Sequence, residues 1–179
     1  MTDLTRQAAR TQAAIQAAFA ELIFTKRYPE IRMTDVARSA NVGRSTLYQH
    51  YKDKDAILLA NMAPVLAGLA KAISGAGASG EIAEILSHIW SHRDRGRVVL
   101  FGATGQKLEN ALASQVSEAL SNAAGALRPA LSSVFVANQV AASVFSILRT
   151  WLAGEASAPI PALARHICLC AEAQVAASR

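Results

Sequence analysis

The hydrophobic positions between residues 5 and 25 recur at the three-and-four spacing that defines one face of an α-helix. They are Ile15, Ala18, Phe19, Leu22 and Ile23. The opposite side is polar, at Gln12, Gln16 and Glu21. This division predicts an amphipathic first helix whose apolar stripe faces a core. Pro29 ends the helix, and Tyr28 and Ile31 are expected to close the end of that core.

Two short helices are predicted next, over residues 33–40 and 44–51, with a tight turn between them. The turn consists of Asn41, Val42 and Gly43, because asparagine and glycine tolerate left-handed backbone angles. Two helices of this length that meet at a tight turn are typical of a helix-turn-helix. We therefore predict that motif in the N-terminal part of the chain.

The pattern beyond the third helix predicts further helices. Asp53 is well placed to cap a long fourth helix that begins at Lys54, and Pro64 is expected to kink that helix. Residues 75–80 are rich in glycine and alanine and are expected to form a loop. Helices are then predicted at residues 81–93, 96–102, 106–124, 132–154 and 161–177.

Composition supports a wholly helical fold. Hydrophobic residues make up 52% of the chain and aromatic residues only 6%, and alanine predominates, which favours helix over strand. The net charge of +5 suits a polyanionic partner, but it is also common among proteins that bind none. We therefore expect an all-α protein. Net charge alone does not identify the class of partner, so the positions of the charged residues along the chain must be considered.

Cysteine usage and hydropathy indicate a cytoplasmic protein that does not enter a membrane. Cys168 and Cys170 lie about 200° apart around a helix, so they are expected to remain reduced thiols. The N-terminus lacks the basic and apolar regions of a secretory signal. No apolar run reaches the roughly 18–20 residues that span a bilayer, and the most apolar stretch, residues 134–152, is interrupted by two amides and an arginine.

The second helix of the predicted pair has two chemically different faces. At about 100° per residue, Leu47 and Tyr51 fall on one side, which is expected to pack against the core. The other side carries Ser45, Thr46 and Gln49. These are short or planar hydrogen-bonding residues, which suit the reading of base edges in a major groove wide enough to admit a helix.

Arg44 and Gln49 are the predicted base-reading residues. A guanidinium at the start of the helix reaches guanine O6 and N7 bidentately, and a glutamine amide does the same for adenine N6 and N7. Thr46 is expected to touch a thymine methyl group or a phosphate. Phosphate contacts are also expected from Tyr48, His50 and Lys54. For Lys54, the N-terminal amides of the fourth helix would hold the same phosphate.

Local charge agrees with this geometry, although each residue also has an ordinary structural interpretation. Between Arg32 and Lys54 there are five Lys or Arg residues and two Asp residues, a more basic balance than the chain average. Isolated lysines are usually solvated, and Tyr48 and Tyr51 both suit a core. For Tyr51 we expect the core position, with its hydroxyl at the edge.

The segment around this helix resembles the signature of the TetR/AcrR family of bacterial regulators. The matching run is Thr46-Leu47-Tyr48-x-His50-Tyr51-x-Asp53-Lys54-Asp55-x-Ile57-Leu58, preceded by Val36-Ala37 and Val42-Gly43. The resemblance covers roughly residues 13–60. It implies an all-α homodimer in which three N-terminal helices bind a palindromic DNA operator. It also implies that the C-terminal helices bind a small inducer, whose binding shifts the fourth helix and releases the operator.

The resemblance also implies a division of the chain into two domains. Residues 1–53 are predicted to form the helix-turn-helix DNA-binding domain. Residues 54–179 are predicted to form a helical ligand-binding and dimerisation domain, to which the helix at residues 54–74 connects the first. The predicted DNA-binding residues are Arg32, Thr34, Gly43, Arg44, Ser45, Thr46, Tyr48, Gln49, His50 and Lys54.

Several residues depart from the family pattern. Arg32 stands where a capping Ser or Thr is usual, and Gly43 stands where Ser or Thr commonly opens the recognition helix. Arg27 replaces the glycine that usually ends the first helix, and Tyr51 replaces a phenylalanine. Thr34 is an alternative cap one turn later, which would leave Arg32 to contact phosphate. The cap of the second helix is therefore open at this point.

The helices at residues 132–154 and 161–177 are predicted to form an isologous dimer interface, because they are apolar on more than one side. Their apolar residues include Val136, Val140, Val144, Ile147, Leu148, Trp151, Leu163, Ile167 and Val175. A pocket for an apolar or weakly polar inducer is predicted to be lined by Met62, Leu66, Leu86, Trp90, Phe101 and Leu108. Ordinary core packing explains these residues equally well.

No cofactor or metal is predicted. Glu84, His88 and His92 share one helix face, but polar residues that line a cavity or solvent are the favoured interpretation, since no further Cys or His follows at ligand spacing. An enzyme is disfavoured, because no nucleophile is paired with a base and there is no Gly-rich phosphate loop. The remaining alternative is a helical interaction protein that keeps the fold without reading DNA.

Overall fold

The computed structural model describes residues 3–72, 79–123 and 131–178. These residues form nine α-helices, one 3₁₀ turn and no strand, as the all-α prediction requires. The helices are α1 (Asp3–Thr25), α2 (Met33–Ser39), α3 (Arg44–His50), α4 (Lys54–Lys71), α5 (Ser79–Ser91), α6 (Arg93–Leu100), α7 (Ala103–Ala123), α8 (Ser133–Ala153) and α9 (Ile160–Ala177). The 3₁₀ turn, Tyr28–Glu30, lies between α1 and α2.

The predicted helix bounds agree with the structure to within three residues. The largest differences are at the starts of α6 and α7, which were predicted at Gly96 and Gln106, whereas the helices begin at Arg93 and Ala103. Gly96 lies inside α6, where an added Cβ atom would make only an ordinary van der Waals contact with Leu152 Cδ1, at 3.6 Å. A glycine inside a helix is tolerated at a cost of about 1 kcal/mol relative to alanine. Most of the predicted loop at residues 75–80, and the predicted end of α7 at Ala124, lie outside the described residues.

Packing divides the chain into two units, residues 1–63 and 64–179. The first unit thus takes in the beginning of α4, ten residues beyond the end predicted for the DNA-binding domain. Its core side chains come from all four helices and the connector before α2. They are Ile15, Ala18, Phe19, Ile31, Val36, Ala37, Leu47, Tyr51, Ile57 and Leu58. Leu22 and Ile23, which were expected in the same stripe, are half-buried.

The turn between α2 and α3 depends on one left-handed residue. Asn41 has φ 52°, whereas Gly43 has φ −63° and lies in extended backbone at the N-terminus of α3. The Val42 amide donates to the Ala37 carbonyl at 3.0 Å, and the Asn41 amide donates to the Arg38 carbonyl at 3.2 Å. This pair of bonds is a Schellman motif, which satisfies the last carbonyls of α2. Asparagine alone therefore supplies the left-handed angle.

In the second unit, α8 packs against α6, α7 and α9, and α5 packs against α6 and α9. Ser132 caps α8 by accepting a bond from the Phe135 amide at 3.3 Å, and Gly154 ends the helix with φ 80°. The buried face of α8 comprises Val136, Ala137, Val140, Ala141, Val144, Phe145, Leu148, Trp151 and Leu152. Most of the apolar residues from which two apolar faces were predicted are thus covered within the chain itself.

The corner between α6 and α7 is closely packed. An added Cβ atom on Gly105 would lie 2.2 Å from the carbonyl oxygen of Leu100. Arg149 of α8 reaches the same corner, since its Nε donates to the Leu100 carbonyl at 3.2 Å. Its Nη2 atom also forms an ion pair with Glu109 at 2.8 Å. Because the side chains of this pair are largely buried, we expect it to hold α7 and α8 together.

Candidate nucleic-acid interface

Helix α3 has one buried and one exposed side. Leu47 is 0% exposed and Tyr51, directly after the helix, is 6% exposed, so both belong to the core. Arg44, Ser45 and Gln49 are exposed, and Tyr48 is 46% exposed. Thr46 and His50 are half-buried at the edges between the two sides. The structure thus brings the predicted base-reading residues together on one free face.

The hydroxyl of Tyr51 explains how this chain accommodates a tyrosine at the end of α3. It accepts a hydrogen bond from Gln16 Nε2 of α1 at 2.8 Å. The backbone carbonyl of Gln16 in turn accepts a bond from Asn61 Nδ2 of α4 at 3.1 Å. Gln16 was predicted on the polar side of α1, and the structure shows it half-buried, with its amide satisfying the buried hydroxyl.

Asp35 supplies the cap of α2 that the sequence left open. Its Oδ2 atom accepts a hydrogen bond from the Arg32 backbone amide at 3.1 Å and lies 3.2 Å from Lys26 Nζ. The alternative cap, Thr34, is exposed, as is the Arg32 side chain. Asp35 lies three positions after Arg32, the N-cap residue of α2, and an acidic side chain at that position forms half of a capping box. The sequence therefore contained a signal for the capping role of Asp35.

Acid should weaken this cap. The Arg32 amide bond, together with Lys26, holds the pKa of Asp35 below its ordinary value of 3.8. A carboxylate whose pKa is lower in the folded state stabilises the fold above its unfolded-state pKa and loses that effect as the pH falls through the folded-state pKa. We expect Asp35→Asn to lower the melting temperature at pH 7 and to approach the wild type near pH 3. A difference that is constant over this range would contradict the assignment.

Lys54 was predicted to bind phosphate, but the structure engages its ammonium within the chain. Nζ donates to the backbone carbonyls of Tyr28, Pro29 and Ile31 at 2.8, 3.3 and 3.1 Å. Asp53 caps α4 as predicted, because its Oδ1 atom accepts a bond from the Ala56 amide at 2.8 Å. The hydrogen-bond donors of Lys54 are therefore engaged within the chain.

The charges around α2 and α3 are nevertheless biased towards cations. Four of the five basic residues in this segment are exposed, namely Arg32, Arg38, Arg44 and Lys52. The two acidic residues, Asp35 and Asp53, both accept backbone amide bonds at helix N-termini. Uncommitted cations beside a helix with free polar side chains form the electrostatic surface that a DNA backbone requires.

The residues predicted to line an inducer pocket have different environments. Leu66, Leu86 and Leu108 are buried in the second unit. Trp90 and Phe101 are exposed rather than interior, at 39% and 55%. The Trp90 ring stacks on that of Trp151, with centroids 4.6 Å apart. Met62 belongs to the first unit and is half-buried there. The predicted pocket remains a prediction.

The other clusters of potential ligands do not converge on a metal site. His88 and His92 pack edge to face with ring centroids 4.9 Å apart, but no group of three His, Cys, Asp or Glu residues suits a metal ion within the described ranges. Cys170 Sγ lies 3.4 Å from His166 Nε2, and Cys168 is half-buried. Burial, with a contribution from a nearby glutamate, raises the pKa of Cys168, so its thiol is expected to stay protonated.

Over the part of the chain that the structure describes, no helix is both long enough and apolar enough to cross a membrane.

Comparison with known proteins adds to this geometry. Residues 14–60 match the family described as bacterial regulatory proteins, tetR family. An uncharacterized HTH-type transcriptional regulator of Bacillus subtilis, YxbF, is 37% identical over 54 residues, which are 30% of this chain and 14% of that protein. The HTH-type transcriptional regulator EthR of Mycolicibacterium smegmatis is 36% identical over 55 residues, which are 31% of this chain and 25% of EthR. The chain thus spans a quarter or less of the length of these relatives.

The likeness of fold extends over more of the chain. FadR of Thermus thermophilus, a TetR-family transcriptional repressor crystallised with lauroyl-CoA, superposes with a TM-score of 0.63 at 19% identity. The superposition covers 90% of this chain and 93% of FadR. The family match over residues 14–60 contains α2, α3 and the first turns of α4. Both relatives of similar sequence are described as transcriptional regulators. Residues 14–60 therefore match the tetR family of bacterial regulatory proteins, and the fold of the chain is similar to that of a TetR-family repressor.

Proposed function

We propose that this regulator is a homodimeric repressor that binds a palindromic operator through α3 and is released by a small, mostly apolar inducer. The observation that carries the proposal is the exposed face of α3. Within the described residues, the side chains of Arg44, Tyr48 and Gln49 have no hydrogen bond or ion pair to satisfy them. Free hydrogen-bonding groups on a helix that is anchored by a buried leucine suit insertion into a major groove.

The DNA contacts divide by chemistry. Arg44 and Gln49 are proposed to read guanine and adenine edges, because their planar groups bond bidentately there. Phosphate contacts are proposed for the remaining exposed or half-buried polar groups of this surface, namely Arg32, Thr34, Gly43, Ser45, Thr46, Tyr48 and His50. At Gly43 only the backbone amide can donate, and it lies at the N-terminus of α3. Such contacts would position the helix, and the two planar side chains would give it specificity.

A dimer is proposed through α8 and α9. The solvent-exposed positions of α8 are Val134, Phe135, Asn138, Gln139, Ala142, Ser146 and Thr150. None of them is charged over more than four turns, and depletion of charge is typical of the centre of an interface. On α9, Leu169 is 63% exposed and would be buried by the same interface. Two recognition helices held about 34–36 Å apart, or a multiple of this, would meet successive turns of one DNA face.

The inducer is proposed to bind among the C-terminal helices. The interior positions predicted to line its pocket are uncharged, which favours an apolar or weakly polar compound. The lauroyl-CoA in the FadR crystal is consistent with a ligand that carries an apolar chain. To release DNA, a ligand must prefer the form that does not bind DNA, typically by about 1–3 kcal/mol.

The proposal is tested by replacing side chains on the free face of α3. We expect Arg44→Ala and Tyr48→Ala each to weaken binding to duplex DNA from the region upstream of the gene by about tenfold to a hundredfold, as one lost base or phosphate contact predicts. Fluorescence anisotropy at several salt concentrations measures the affinity. Arg97→Ala is the matched control, because it removes an exposed arginine from α6 and should leave the affinity unchanged.

Two outcomes would contradict the proposal. Unaltered affinity in both α3 variants would exclude α3 as the recognition helix, and equal affinity for scrambled duplexes would favour the interaction protein without specific DNA binding. Sedimentation equilibrium on the same samples tests the dimer. A stable monomer at micromolar concentration would exclude the interface on α8 and α9.

A further inference from the structure

The ammonium group of Lys54 lies among three backbone carbonyl oxygens, those of Tyr28, Pro29 and Ile31, which we name the carbonyl cage. The three Nζ to oxygen distances are 2.8, 3.3 and 3.1 Å. An ammonium group has three N–H donors, and the carbonyl cage offers one acceptor for each of them. The donors of Lys54 are thus matched before any DNA is present.

A lysine in the first turn of a helix is unfavourably placed against the positive end of the helix dipole. The carbonyl cage compensates for this placement, because three carbonyl dipoles point their negative ends at the ammonium. Nζ also lies 4.6 Å from the centroid of the Tyr28 ring, a cation–π arrangement. The hydroxyl of the same tyrosine donates a short hydrogen bond to Asp55 of α4. The first turn of α4 therefore holds the connector before α2 at several points.

The position of this connector determines where α2 begins. Ile31, whose carbonyl closes the carbonyl cage, is 2% exposed and immediately precedes Arg32. The amide of Arg32 is bonded to Asp35, and α2 packs against α3. A displacement of the connector would therefore move the start of α2, and with it the two helices that carry the proposed DNA contacts.

We propose that Lys54 is a positioning residue for DNA binding, which acts by fixing the connector and the start of α2 through the carbonyl cage rather than by contacting a phosphate. The inference rests on the proposed function only for its consequence in DNA binding. The cage itself is a property of the free protein. A phosphate contact would require Nζ to give up carbonyl partners that the folded chain already supplies.

The test compares Lys54→Arg with Lys54→Met. A guanidinium keeps the positive charge but is planar and too wide for a site that fits a compact ammonium. A positioning role predicts that both variants shift the backbone amide resonances of residues 28–35 in the free protein and weaken DNA binding by about tenfold or more. Lys52→Met, which removes an exposed lysine two residues earlier, should leave those resonances unchanged. If the two Lys54 variants do not fold, Tyr28→Phe provides a milder test. It keeps the ring but loses the hydrogen bond to Asp55, so it should shift the amide resonances of residues 28–35 by a smaller amount.

Two results would overturn the positioning role of Lys54. If Lys54→Arg keeps the wild-type affinity and Lys54→Met lowers the slope of log K against log salt by about 0.9, Lys54 contacts a phosphate and the proposal is wrong. Unchanged amide resonances of residues 28–35 in both variants would also overturn it. If the wild type shows no preference for any duplex, the proposed function fails, whereas the resonances of the free protein still decide whether Lys54 fixes the connector.

Discussion

Gly105→Ala is expected to lower the free energy of unfolding by about 2–4 kcal/mol, since overpacking against a rigid neighbour is among the costlier substitutions. The added Cβ atom would lie 2.2 Å from the carbonyl oxygen and 2.8 Å from the carbonyl carbon of Leu100. Both atoms belong to the backbone at the end of α6, so no flexible side chain can move aside. The corner also carries the Arg149 bond to the same carbonyl, which the displacement would disturb.

Gly80→Ala is the matched control for this substitution. An added Cβ atom on Gly80 meets nothing within 4 Å, and alanine favours helix over glycine by up to about 1 kcal/mol. Urea denaturation followed by circular dichroism should therefore show a lower midpoint for Gly105→Ala and an equal or higher midpoint for Gly80→Ala. Equal midpoints for Gly105→Ala and the wild type would show that α6 and α7 can separate at little cost.

Leu47→Ala is expected to destabilise the N-terminal unit by about 2–5 kcal/mol, the range for removing a fully buried leucine. Leu47 is 0% exposed and is the residue that fastens α3 to the core. Ser45→Ala, on the opposite side of the same helix, should change the stability by less than about 0.5 kcal/mol. The contrast separates the packing role of α3 from its exposed chemistry.

The measurement is urea denaturation monitored at α3, for example by hydrogen exchange of its amides. Because the packing divides the chain into two units, a single global midpoint would combine the unfolding of both. A probe within α3 reports the first unit by itself. Equal loss of stability in Leu47→Ala and Ser45→Ala would mean that the buried side of α3 has been misassigned.

Much of the fold was predictable, because local periodicity determines where helices form. The stripe that includes Ile15 and Phe19 predicted the buried side of α1, and Asp53 predicted the start of α4. The start of α6 was not predictable, because a glycine inside a helical pattern lowers the expectation that the helix continues through it. The helix continues through Gly96, since a glycine inside a helix costs only about 1 kcal/mol relative to alanine.

The candidate site shows the same limit. The two faces of α3 follow from the spacing of Leu47 and Gln49, and both were placed correctly by helical geometry alone. The partners of Lys54 and Gln16 within the chain were not predicted, because they lie 23 to 35 positions away. A lysine beside aspartates predicts a solvated cation, and nothing in the local pattern indicates that distant carbonyl oxygens surround it.

The exposed surface of α8 was also beyond local reasoning. Its apolar residues suggested two apolar faces, yet residues such as Val140 and Leu148 pack within the chain. What remains exposed is uncharged and mostly small or polar, apart from Val134 and Phe135, which are 59% and 58% exposed. The choice between these descriptions depends on which neighbours cover the helix, and the sequence alone does not give the neighbours.

Selection of bound duplexes from a randomised library tests sequence-specific recognition by α3, because the library contains candidate operators of many sequences. Recognition of DNA by α3 in a dimer predicts that the wild-type protein enriches two inverted half-sites whose centres lie about one helical turn, or a multiple of it, apart. It also predicts that Arg44→Ala and Gln49→Ala each lose the preference at one base pair of every half-site while the other positions stay enriched. A library that remains unenriched, or that is enriched equally by the wild type and both variants, would contradict sequence-specific recognition by α3.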